Sequence, residues 1–169
     1  MPDRSSPTRD DVDAIAAWSV IRAARVLARR LADVLAPLGL TPVEFGVLVQ
    51  LGATDEPDHR GTADGLAEPA TGLAQADLAR AVGVRPQSMT TLVVTLAERG
   101  LIDRGSERGR GRRSRIVLTD AGRAVLAQAY PVVLASNAWF GPDAATSAAL
   151  VATLRPMLGG PGGPVDDVP

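Results

Sequence analysis

Residues 75–104 read QADLARAVGVRPQSMTTLVVTLAERGLIDR, and this stretch decides the fold. Leu78, Ala79 and Val82 recur at helical spacing and predict a short helix over Gln75–Val82. Met89, Leu92, Val93 and Leu96 do the same for a second helix over Pro86–Arg99. Between them stands Gly83-Val84-Arg85, where glycine supplies the backbone angle of a tight turn and Pro86 suits a first helical position. Two short helices joined this way form a helix-turn-helix. Small Ala79 allows the two helices to cross closely. With one face of the second helix buried, Arg85, Gln87, Ser88, Thr90 and Thr91 near its start are left facing outward.

Downstream, Leu101–Arg104 and Arg115–Leu118 are short apolar runs flanking a Gly/Arg-rich tip, which predicts a two-stranded hairpin. Thr119-Asp120 then caps a helix reaching about Ser136, with Pro131 expected to kink or break it. Pro142–Leu158 forms the last helix. Upstream, Asp11 to about Pro37 predicts one long helix, with Val20, Ala24, Leu27, Leu31, Val34 and Leu38 at spacings of three and four. Ile15, Trp18 and Ile21 form a second apolar set at its start. Thr41-Pro42-Val43-Glu44 has the form of a capping box opening another helix. From Gly52 to Gly72 no periodicity survives, and a long surface loop is expected. Residues 1–10 and 159–169 are expected to be flexible tails.

The chain of 169 residues is 46% hydrophobic but only 3% aromatic, so Ala, Leu and Val must build the core, and mostly as helices. There is no cysteine, which excludes disulfides, thiolate catalysis and thiol redox sensing. The single histidine, His59, stands in the polar loop, so no metal site, cofactor or catalytic constellation is expected. No membrane span or signal peptide is visible, and a soluble cytoplasmic protein is the expectation.

Net charge is −1, but it is unevenly spread. Between Arg99 and Arg115, seven arginines face two acids, a surplus of five positive charges, while the remaining 11 arginines and 17 acids leave a deficit of six. A basic segment on an acidic body suits a local contact with a polyanion. Short hydrogen-bonding side chains at the start of the second helix suit base edges and phosphates.

The order and spacing of Leu40-Thr41-Pro42 leading into Phe45–Leu48, of the 75–104 block, and of Leu118-Thr119-Asp120-Ala121-Gly122 resemble the MarR family over residues 11–158. The resemblance implies a mostly α, winged helix-turn-helix protein that regulates transcription, most simply as a ligand-responsive repressor on a pseudo-palindromic operator. It implies a homodimer built from 11–40 and 119–158, and a DNA-binding lobe over 41–118. Arg85, Pro86, Gln87, Ser88, Thr90 and Thr91 would meet double-stranded DNA in the major groove, and Arg108, Arg110, Arg112 and Arg113 at the wing tip. It further implies a crevice for a small aromatic or phenolic effector, for which Trp18 could stack and Arg22 pair. The alternative for that pair is a partly buried Trp beside a snorkelling Arg. Ala74 stands where the family often has a capping Thr or Ser, Thr91 where it often has Arg, and Val94 where it often has Asp. The alternative reading of the whole chain is a winged-helix protein-interaction module without DNA readout, for which a wing poor in basic residues would be expected.

Overall fold

The computed structural model describes residues 6–55, 72–105 and 115–158. The elements run α1 (Arg9–Asp13), α2 (Ala16–Leu35), α3 (Pro42–Asp55), α4 (Gln75–Val82), α5 (Pro86–Glu98), β1 (Ile102–Arg104), β2 (Ile116–Leu118), α6 (Asp120–Ala135) and α7 (Ala144–Leu154). Short 3-10 turns follow α2, α6 and α7. The described residues are therefore mostly helical with one antiparallel pair of strands, as the sequence predicts.

Helix α3 is the hub. It packs against α2, α4, α6 and β2, and its Val47, Leu48 and Leu51 are fully buried. Around it the core collects Leu35 and Leu40, Leu78 and Ala79 of α4, Met89, Val93 and Leu96 of α5, and Leu101, Ile102, Ile116 and Leu118 at the hairpin. Pairing runs Ile102↔Leu118, Asp103↔Val117 and Arg104↔Ile116. Ile102, Leu118 and Ile116 are buried while Asp103 and Arg104 are exposed, so the register is fixed by which residues the core takes. Leu73 adds an isolated bridge outside this pair, exchanging backbone bonds with Ile116 at 3.0 and 2.8 Å. Gly122 lets α6 start hard against the hairpin, since a Cβ there would lie 2.0 Å from the Leu101 carbonyl oxygen.

Several boundaries differ from expectation. The first long helix is broken at Ala14-Ile15, and the expected tail already holds structure at Thr8. Thr8 and Asp11 form a complete capping box that closes a five-residue helix, and these bonds hold the exposed Asp11 carboxyl below the usual aspartate range. Ser19 Oγ then donates to the Asp13 carbonyl at 3.0 Å, satisfying a group the break would orphan. Helix α3 runs past Gly52 to Asp55. That glycine is not a stop; it makes room for α6, since a Cβ would sit 2.7 Å from Leu126 Cδ2. Helix α6 ends at Ala135, as expected, and Pro131 inside it does not break it. The last helix starts at Ala144, capped by Asp143 rather than opened at Pro142. The loop residues 56–71 with His59, residues 1–5, the hairpin tip 106–114 and the tail 159–169 lie outside the described residues.

Candidate nucleic-acid interface

The turn between α4 and α5 follows from local chemistry. Helix α4 ends at Gly83, whose φ of 71° is left-handed, and the extended Arg85 then leads Pro86 into the first position of α5. Met89, Val93 and Leu96 bury the inner face of α5 completely. That burial fixes which way the other face looks. Arg85, Gln87, Ser88 and Thr91 are exposed, and among the described residues their side chains have no hydrogen-bond partner. Gln87 and Thr91, four residues apart, form the middle of the outer face.

Thr90 is exposed too, but its hydroxyl is occupied. It donates to the Pro86 carbonyl at 3.1 Å and accepts from Gln75 Nε2 at 2.8 Å. It stands at the α4 edge of the outer face. On the opposite edge, Ser88, Leu92 and Thr95 form an open groove of about 440 Å³ with Thr41 and Glu44 at the start of α3, and Thr91 also lines it.

The position of α5 is held by an ion pair that the sequence did not disclose. Glu44 is buried, and its Oε1 accepts from Arg99 Nη1 at 2.8 Å while Oε2 accepts from the Thr41 backbone N–H at 2.7 Å. Arg99 also donates to the Gly39 carbonyl at 2.7 Å. One guanidinium thus ties the end of α5 to the start of α3 and to the turn after α2. Arg115 is committed as well, donating twice to the Gly72 carbonyl at 3.1 and 2.9 Å. Two of the seven arginines in the basic segment therefore serve the fold. Arg104 is exposed on β1. Arg108, Arg110, Arg112 and Arg113 lie outside the described residues.

Trp18 and Arg22 are on α2, far along the chain from this face. Trp18 is 39% exposed, and Arg22 Nη1 is held by the Asp13 carboxylate at 2.5 Å. The other tryptophan, Trp139, lies under Arg30, whose guanidinium carbon is 4.2 Å from the ring centre. Among the described residues no single helix is long and apolar enough to cross a membrane.

The family model described as MarR family matches residues 38–113, which hold α3, the two-helix motif and the first strand of the hairpin. The HTH-type transcriptional repressor Rv2887 of Mycobacterium tuberculosis is 32% identical over 126 residues, spanning 75% of this chain and 79% of that protein. Two solved structures of Rv2887, each described as a MarR family protein, superimpose with a TM-score of 0.61. The complex with salicylic acid is 30% identical and covers 86% of this chain and 97% of that one; the complex with DNA is 28% identical and covers 86% and 98%. With its buried two-helix motif, its hairpin and a repressor as relative, this chain belongs to the MarR family of transcription regulators.

Proposed function

We propose that two copies of this chain bind one pseudo-palindromic site on double-stranded DNA and repress transcription by occupying it. Each copy presents α5 to the major groove, with the two helices about one helical turn (~34 Å) apart. One observation carries this reading: the outer face of α5 offers Arg85, Gln87, Ser88 and Thr91 unpartnered, on a helix whose opposite face is locked in the core. Gln87 has the paired donor and acceptor that match an adenine edge, Ser88 and Thr91 assist, and Pro86 fixes the helix start. Arg108, Arg110, Arg112 and Arg113 of the wing supply phosphate and minor-groove contacts. The solved complex of Rv2887 with DNA supports DNA as the partner.

The dimer uses the helices over 11–40 and 119–158, and 41–118 is the DNA-binding lobe. In the single chain Val20, Ile21 and Val26 of α2, Tyr130, Val132 and Leu134 of α6, and Val151 of α7 are all more than a third exposed. That much apolar surface on the terminal helices is what a partner would cover. The site of action is the cytoplasm, where the DNA is.

The effector is a small aromatic carboxylate, by analogy with Rv2887, which has been solved with salicylic acid and with p-aminosalicylic acid. Trp18 stacks on it and Arg22 pairs with it through donors that Asp13 leaves over. Binding favours a spacing of the two lobes that cannot span both grooves.

The test is fluorescence anisotropy with the DNA upstream of the protein's own gene against unrelated duplex. Gln87→Ala should cost about 1–3 kcal/mol on the cognate site and much less on unrelated DNA. Equal affinity of the wild type for both duplexes at physiological salt would refute sequence-specific repression.

A further inference from the structure

The two helices of the motif are joined by one side-chain hydrogen bond, and it leaves part of Gln75 unused. Gln75 opens α4 behind Ala74, which has no side chain to cap the helix. Its amide crosses to α5, with Nε2 donating to Thr90 Oγ1 at 2.8 Å. Thr90 gives its own proton to the Pro86 carbonyl, so towards Gln75 it can only accept. Gln75 must therefore offer its nitrogen, which fixes the orientation of the amide. A primary amide carries two N–H donors, and one is spent here. Among the described residues the Gln75 side chain has no further partner.

We propose that the remaining N–H of Gln75 donates to a DNA phosphate, and that Thr90 is the positioning residue that holds it there. The inference rests on the DNA-binding reading above. With α5 in the groove, the first helix of such a motif is the one that crosses the phosphate backbone, and Gln75 is its first residue. Because its amide is tied to the reading helix itself, the contact moves in register with Gln87 and Thr91. Thr90 then acts through Gln75 rather than on a base. A neutral amide displaces no counterion of its own, so this contact adds affinity without adding salt dependence.

The experiment uses full-length protein and a duplex spanning its footprint on the upstream DNA, with single phosphates replaced in turn by uncharged methylphosphonate. Gln75→Ala should weaken binding about tenfold, on this duplex and on unrelated duplex alike, with an unchanged salt slope. At one phosphate per half-site, the substitution that weakens the wild type should no longer weaken Gln75→Ala. Thr90→Val keeps the shape, removes the acceptor and should lose sensitivity at the same phosphate, while Thr90→Ser restores it. Thr90→Val also serves if Gln75→Ala fails to fold. Identical phosphate maps for wild type and both variants would overturn the inference while leaving DNA binding intact. A wild type that binds neither duplex would overturn the DNA-binding reading and this inference with it.

Discussion

Removing Glu44 should cost more than removing a surface acid, and by an amount the structure lets one work out. Its carboxylate has two jobs, one per oxygen: accepting from the Thr41 N–H at 2.7 Å and from Arg99 at 2.8 Å. Loss of a capping acceptor costs about 1 kcal/mol. Breaking a fully buried ion pair costs about 3–5 kcal/mol, but the Arg99 side chain is 34% exposed and can rehydrate, so the larger figure does not apply. About 1–1.5 kcal/mol is the discounted share. Glu44→Ala should then lose about 2–2.5 kcal/mol, and Glu44→Gln, which keeps an oxygen for Thr41 but turns an amide donor towards Arg99, about 1–1.5 kcal/mol. The reverse deletion is asymmetric. Arg99→Ala leaves a carboxylate whose side chain is only 8% exposed without its cation, so it should cost more than Glu44→Gln. At about 3 °C per kcal/mol for a chain of this size, melting should fall by about 6–8 °C for Glu44→Ala. Thermal melts followed by circular dichroism, at one fixed protein concentration because a dimer's midpoint depends on it, give the readout. The double variant should be less destabilised than the sum of the singles. A Glu44→Ala protein melting within 1 °C of wild type, or strict additivity, would refute the reasoning.

The remaining expectations are simpler. Val151 is 52% exposed in the single chain, so Val151→Asp should leave the subunit folded but put an unpaired charge into the dimer face; light scattering should then report monomer, and a stable dimer would remove α7 from the interface. Arg22→Ala should weaken an aromatic carboxylate, read by Trp18 quenching in a Trp139→Phe background, by about 1.5–3 kcal/mol with DNA affinity unchanged. If no such compound quenches Trp18 and the variant loses the dimer, the Arg22–Asp13 pair is structural. Changing Arg110, Arg112 and Arg113 together to Ala should flatten the plot of log affinity against log salt by about one unit for each phosphate left without its arginine. An unchanged slope takes the wing out of the DNA interface.

The parts of the fold that could be read from the sequence are those whose cause is local. The α4–α5 motif is set by apolar spacing, by Gly83 and by Pro86, all within a few residues of the structure they dictate, and its bounds match to within one residue. The Thr41–Glu44 capping box is equally local. What failed is ambiguous without a partner. Glycine marks a helix end and a close helix crossing alike, and only Leu126, 74 residues later, shows that Gly52 is the second. The break at Ala14-Ile15 misleads for the same reason, since the satisfaction of freed backbone groups is decided by side chains such as Ser19. Thr90 falls on the outward side of a helical wheel, yet it stands at the edge where α4 reaches it.

Charge shows the limit most plainly. The basic segment points to a polyanion by count alone, but count cannot say which cations are free. Arg99 is matched 55 residues upstream with Glu44, and Arg115 is matched 43 residues upstream with the Gly72 carbonyl. Both bonds do for the protein what a phosphate would otherwise do for the guanidinium. With these two committed to bonds within the chain, at most five of the seven arginines remain to meet phosphates. At about 0.9 units of salt slope per neutralised phosphate, the segment can then supply a dimer with at most about 9 units, where seven free arginines per subunit would allow about 13. A basic run is thus an upper bound on an interface. Which part of it meets DNA depends on what the fold has already claimed, and here the fold has claimed the two ends of the run, Arg99 and Arg115.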